Sequence, residues 1–265
     1  MLDDVLPLLR AGLIRGERHL EWDLRAQPED GEVHLWPVPL EVTDAAQPGL
    51  ERLLSDQERE RARGYVFQRD RRRFIAGRAM LRIVLARYLG LPADEIEFRQ
   101  GPNGKPFLSN RWARGLEFNL SKSHGLALIA ICVGEEVGVD LELVRDIKDA
   151  TGIVQRFFCP EEIAQWAALD PAQRTRAFFD CWTRKEAYVK AVGGGLQIPL
   201  NAFAVTFRPG ETPTVRPHGE RSCWSIFDVC PSAAYAGALA IRGSGWRCVT
   251  IPWLAPDVDT ESRGR

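Results

Sequence analysis

The sequence predicts an α+β fold built from two similar halves, and three observations carry that prediction. A helical period of apolar residues runs from Gln68 to Leu89, with Phe74, Ile75, Met80, Leu81, Val84, Leu85 and Tyr88 on a highly basic segment, and Gly90 ends it. A second long helical pattern covers about residues 172 to 192 and stops at Gly193 to Gly195. Each helix is followed by strand-like segments separated by Gly and Asn punctuation.

After the first helix come LPADEIEFR, the turn-rich GPNGKP, then LEFNLS, LALIAICVG and VGVDLELV. After the second come AFAVTF, the turn RPGETP, then CWSIFDV, AYAGALAI and RCVTI. The run DRRRFIAGRAMLR falls in one half where FFDCWTRKEAYVK falls in the other. A duplicated α+β unit follows, divided into residues 1–136 and 137–265 and packed side by side, with the crevice between them as the natural ligand site. The tail WLAPDVDTESRGR is polar and expected to fray.

With 265 residues, 45% of them hydrophobic, the chain can fill a real core. Its 35 Lys and Arg against 36 Asp and Glu point to neither nucleic acid nor an acidic membrane surface, so any charge-driven site is local. Asp3, Asp4, Arg10 and Arg15 break the opening stretch, leaving no apolar run for a signal peptide or spanning helix, and a cytoplasmic protein is expected. Cys132, Cys159, Cys181, Cys223, Cys230 and Cys248 form no CxxC pair, and the four histidines lack metal-ligand spacing. They read as buried reduced thiols.

Three clusters could carry chemistry. Asp140 and Glu142 lie two apart in VGVDLELV, so both project from one face of a strand while Val139, Leu141 and Leu143 point to the other. Paired hard oxygens with room for water are what Mg²⁺ accepts, although the same alternation suits the solvent face of an edge strand. In WTRKEAYVK, Glu186 and Lys190 share a helix face with Trp182 one turn earlier, a spacing that also fits a surface ion pair. By the same period Lys185 faces elsewhere. Dispersed basic groups, Arg61, Arg73, Lys105 in GPNGKP and Lys122 in FNLSKSHG, together with Ser121, are the donors a phosphate site draws on. Arg69 and Arg71 read as a solvated helix face.

In this order the pieces resemble the Sfp-type, or group II, 4'-phosphopantetheinyl transferases. The resemblance rests on Gly138-Val139-Asp140-Leu141-Glu142, followed 46 positions after Asp140 by Glu186 in Trp182-Thr183-Arg184-Lys185-Glu186-Ala187-Tyr188-Val189-Lys190. It extends to Arg61, the RRRFIAGRAMLR helix, the GKP turn, FNLS and GGGLQIPL, from about residue 55 to 240. Where family members commonly carry histidine after the FN-hydrophobic-Ser strand, this chain has Lys122, with His124 two places later.

The resemblance implies a pseudo-twofold monomer of the 4'-phosphopantetheinyl transferase fold that moves the phosphopantetheine arm of coenzyme A onto a serine of an apo acyl or peptidyl carrier protein. Arg61, Arg73, Lys105, Ser121, Lys122, Lys185 and Lys190 would hold coenzyme A, and Asp140, Glu142 and Glu186 would hold Mg²⁺. Glu186 and Lys190 would be catalytic, as base or ligand and as phosphate neutraliser or acid. A Mg²⁺-dependent phosphohydrolase uses similar groups against water, and a silent coenzyme A or carrier-protein binder is a third reading.

Between the two motifs, Ile153, Phe157, Phe158 and Trp166 read mostly as core.

Overall fold

The computed structural model describes residues 27–109, 115–217 and 223–252. The opening stretch and the tail from Trp253 read in the sequence lie outside the described residues. What is described forms two compact units, one built on Val38–Ile96 and one on Pro28–Pro37 with Glu97–Ile251. The sequence boundary at 136/137 therefore falls inside the second unit, whose four-stranded sheet draws strands from both sides of it.

The first unit is helical: α1 (Gln47–Arg52), α2 (Asp56–Arg63) and α3 (Gln68–Leu89). α3 has the bounds that its apolar period requires, and Gly90 closes it in the left-handed region at φ +66°. All seven of its sequence-predicted apolar residues are buried. Glu58 organises the other end of this core. Its carboxylate completes a capping box with Ser55 at the start of α2. It also takes Arg78 Nε at 2.9 Å and Arg82 at 2.7 Å. Arg82, 2% exposed, spends a further nitrogen on the carbonyls of Ala93 and Ile96. Burial alone would raise the Glu58 pKa, but the two guanidinium charges hold it below the usual range.

The second unit holds the sheets. β1 (Glu32–Pro39) leads into it, and β2 (Phe98–Gln100) and β3 (Pro106–Leu108) form a hairpin around the GPNGKP turn. β4 (Leu116–Ser123) and β5 (Leu126–Val133) are an antiparallel pair, followed by β6 (Val137–Leu143). Helices α4 (Ala150–Phe157), α5 (Pro160–Ala168) and α6 (Pro171–Val192) come next, and Gly193 stops α6 at φ +72°. The short strands β7 (Phe203–Val205) and β8 (Val215–Pro217) pair with each other. β9 (Trp224–Asp228), β10 (Tyr235–Arg242) and β11 (Arg247–Thr250) complete the order.

One sheet runs β11-β1-β5-β4 and the other β6-β10-β9. Val33 and Leu35 of β1 pack with Leu128 and Ala130 of β5, Val139 and Leu141 of β6, and Leu239 and Ile241 of β10. α6 packs on β6 and β10, and Phe178, Phe179, Tyr188 and Val189 join Phe158, Trp166 and Phe203 in a second core cluster. The expectation of core placement thus holds for Phe158 and Trp166, while Ile153 and Phe157 are only partly buried against that cluster.

Gly138 sets how closely β6 approaches α6. A Cβ there would lie 2.1 Å from the Ala187 carbonyl oxygen and 2.3 Å from the Ala191 nitrogen. Gly138→Ala is therefore expected to cost about 2–3 kcal/mol. Thermal melting checks it, and an unchanged midpoint would mean the contact is dispensable.

Three sequence expectations need correction. Residues 91–99 are not one strand: a 3₁₀ turn at Ala93–Glu95 precedes the short β2, because Pro92 favours a turn before the chain extends. β1 was not expected at all: Glu32-Val33-His34-Leu35 alternates, but Pro37 and Pro39 demote a strand reading. Cys132, Cys159 and Cys181 are buried, but Cys223 and Cys230 are exposed, each lying just outside β9. Among the described residues no helix is long and apolar enough to cross a membrane.

Candidate active site

Strand alternation and helix period bring the two acidic motifs together. Val137, Val139 and Leu141 of β6 enter the inter-sheet core, so Gly138, Asp140 and Glu142 face α6. On α6, Glu186 and Lys190 turn toward them, with Trp182 one turn earlier. Lys190 Nζ lies 2.6 Å from Asp140 Oδ1. It also donates to Ser121 Oγ at 3.0 Å and to the Val139 carbonyl at 3.2 Å. Asp140 is 5% exposed, and its second oxygen, Oδ2, is buried with no hydrogen-bond partner among the described residues.

β4 fixes this strand with side chains instead of backbone. Asn119 Oδ1 accepts the Val139 N–H at 3.0 Å, Ser121 Oγ the Leu141 N–H at 3.2 Å and Ser123 Oγ the Leu143 N–H at 3.0 Å. Ser121 also donates to Asp140 Oδ1 at 3.0 Å, and Ser123 to Glu142 Oε2 at 3.0 Å. Asn119 and Ser123 were missed in the sequence, where N-x-S-x-S looks like an exposed strand face. The available signal was its matched two-residue spacing with D-x-E.

Carboxylates outnumber the cation here, and burial makes that costly. Burial raises the Glu186 pKa first, then the Asp140 charge, against Lys190. Burial and then Asp140 likewise raise Glu142, opposed by the Ser123 hydrogen bond. The ionised form of Glu186 is thus less favourable folded than unfolded, a penalty absent below the ordinary carboxylate pKa and complete above the raised one. Glu186→Gln is expected to raise the thermal midpoint of metal-free protein at neutral pH by about 1–2 °C. A lower midpoint in EDTA would contradict this electrostatic account.

The donor set suits a small hard cation: carboxylate oxygens, one of them an orphan held in place. Among the described residues no three such groups close into one coordination sphere. Mg²⁺ does not need that, since it takes one or two carboxylates and completes its shell with water and substrate phosphate.

Beside the carboxylates lies a cavity of about 700 Å³, lined by Glu186, Lys190, Trp182, Phe157, Lys105 and Asn119 among others. Lys105 Nζ donates to the carbonyls of Val137 and Ala191, each at 3.1 Å, so its charge sits at the C-terminal end of α6. Burial lowers its pKa, against the pull of Glu117 and Glu136. Trp182 meets Phe157 edge-on at 5.6 Å and stacks on Phe178 at 5.8 Å, forming an aromatic wall.

Of the remaining sequence-predicted residues, Ser121 belongs to this cluster and Lys185, Lys122, Arg61 and Arg73 do not. Lys185 is 0% exposed; its ammonium donates to the carbonyls of Leu200 and Phe203 and pairs with Glu162 at 2.8 Å. It faces away from Glu186 and Lys190, as the helical period indicated, and its ammonium is spent on these partners instead of being offered to coenzyme A. Ser121 has its hydroxyl committed to Asp140, Lys190 and Leu141, so it positions charge instead of offering a free phosphate donor. Lys122 is exposed, on the face of β4 opposite Ser121 and Ser123. Arg61 and Arg73 belong to the first compact unit. Arg61 lies over the Phe74 ring at 5.5 Å, and Arg73 pairs with Glu41.

Comparison with known proteins identifies the family. Residues 136–240 match the family described as the 4'-phosphopantetheinyl transferase superfamily, and residues 44–134 match the family described as 4'-phosphopantetheinyl transferase, N-terminal. The 4'-phosphopantetheinyl transferase HetI of Nostoc sp. is 37% identical over 217 residues, covering 82% of this chain and 90% of its own length. The 4'-phosphopantetheinyl transferase Sfp of Bacillus subtilis is 28% identical over 180 residues, covering 67% and 78%. The chain belongs to the 4'-phosphopantetheinyl transferase superfamily.

Proposed function

We propose that the chain transfers the 4'-phosphopantetheine group of coenzyme A to a serine of an apo acyl or peptidyl carrier protein and releases 3',5'-ADP. The observation that carries the reading is the pairing of Lys190 with Asp140 and the presence of Glu186 and Lys190 on one cavity wall, in the spacing that defines the family resemblance. We assign phosphate binding to basic groups of residues 1–136 and the metal site and catalytic helix to residues 137–265.

A serine hydroxyl is a poor nucleophile until a base takes its proton. Asp140 is tied to Ser121 and Lys190, and Glu142 to Ser123, which leaves Glu186 on the cavity wall as the carboxylate placed to receive it. Coordinated to Mg²⁺ it would be a weaker base than a free carboxylate, which favours removal of the proton through a metal-bound water. Serine oxygen then bonds to the phosphorus bearing pantetheine, the bond from that phosphorus to the bridging oxygen breaks, and 3',5'-ADP leaves. Lys190, fixed by three acceptors, supplies positive charge or a proton to the departing oxygen, and Lys105 adds a second cation on the wall. Of Asp140, Glu142 and Glu186, the carboxylates that the resemblance names, one or two at a time would hold Mg²⁺, which would neutralise phosphate charge when bound.

The protein would act as a cytoplasmic monomer, binding neither nucleic acid nor membrane. The reaction is tested by chromatography of the nucleotide product. 3',5'-ADP is expected only when an apo carrier is present; release from coenzyme A and Mg²⁺ alone would make the protein a phosphohydrolase.

A further inference from the structure

The open edge of β6 is closed by a comb of side chains from β4, and two of its teeth do double duty. Ser121 accepts a β6 N–H and donates to Asp140; Ser123, two residues on, accepts the next alternate N–H and donates to Glu142. Ser123 is 7% exposed and does not line the cavity of about 700 Å³. His124 Nδ1 stands 3.3 Å from the same hydroxyl. Glu142 hangs near the end of β6, where its side chain would otherwise sample several rotamers. A hydroxyl anchored by a backbone N–H leaves its own hydrogen free to fix one carboxylate oxygen and, with it, the direction of the other.

We propose that Ser123 is a positioning residue that orients Glu142 for metal binding, an inference that rests on reading Glu142 as a magnesium-site carboxylate. Outer hydrogen-bond partners of this kind set ligand direction, and their loss costs about tenfold or more in metal affinity.

The test compares Ser123→Thr with Ser123→Val, which are isosteric and differ only in the hydroxyl, using Mn²⁺ binding to the full-length protein by electron paramagnetic resonance without coenzyme A or carrier. Valine is expected to weaken Mn²⁺ about tenfold and threonine less than about threefold. Both are compared at matched thermal midpoints, which separates the effect from loss of the Leu143 hydrogen bond. In a Glu142→Ala background, valine should cause no further loss, because Ser123 acts through Glu142. Equal binding by the two variants, an undiminished effect without Glu142, or no Mn²⁺ binding by the unmodified protein would each overturn the proposal. Because the probe is metal alone, failure of carrier modification by the unmodified protein would sink the transferase reading and leave this coupling separately measured.

Discussion

Asp140→Ala is expected to lower carrier-protein modification by about a thousandfold, the scale of losing a preorganised charge contact in a transition state. The substitution acts twice. It removes the buried orphan oxygen Oδ2 that is free for a metal, and it strips Lys190 of its 2.6 Å partner while leaving that cation beside Ser121 and Val139. Coenzyme A binding, measured by calorimetry, should weaken far less than turnover if basic groups elsewhere hold the nucleotide. Folding should persist, because Val139 and Leu141 on the other face keep the strand in its core. Unchanged turnover in the presence of Mg²⁺ would remove Asp140 from the site.

The largest expected effect on stability comes from a pair that touches no substrate. Glu162 and Lys185 are 1% and 0% exposed and lie 2.8 Å apart. Glu162 accepts the Cys159 N–H at 2.9 Å and the Val205 N–H at 2.8 Å, so one carboxylate joins α5, β7 and the helix that carries Glu186. Phe203 lies under the ammonium at 4.5 Å. Glu162→Gln keeps the volume but leaves Lys185 an uncompensated buried charge and sets an amide NH₂ against the Cys159 or Val205 N–H, at a cost of about 3–5 kcal/mol. Thermal melting should drop by about 10 °C. The double variant Glu162→Gln with Lys185→Met should recover much of that, since removing both charges also removes the desolvation penalty. A double variant as unstable as the single would mean that hydrogen-bond geometry matters more than charge.

Residues differ in how far the sequence exposes them. α3 was legible to the residue because an amphipathic period met a glycine that could take positive φ, and Asp140 and Glu142 were legible because strand alternation separated them from Val139 and Leu141. In WTRKEAYVK two signals conflicted: the resemblance put Lys185 with the coenzyme A ligands, and the 100° step turned it away from Glu186 and Lys190. Burial sides with the step, since Lys185 and Arg184 both face inward and Arg184 is spent on a two-pronged contact with Asp228. The β4 comb was illegible because Asn119, Ser121 and Ser123 alternate as they would on a wet surface; what distinguishes them is the neighbouring strand edge, a tertiary fact. β1 was hidden because Pro37 and Pro39 interrupt it, and its buried Glu32 and His34 are polar residues that read as solvent-facing.

The measurement that bears most directly on the central claim is the intact mass of an apo carrier protein incubated with this protein, coenzyme A and Mg²⁺. A gain of about 340 Da, one phosphopantetheine arm by covalent bookkeeping, present with metal and absent with EDTA, is the predicted result. No gain on acyl and peptidyl carriers alike, from protein that binds coenzyme A, would contradict it.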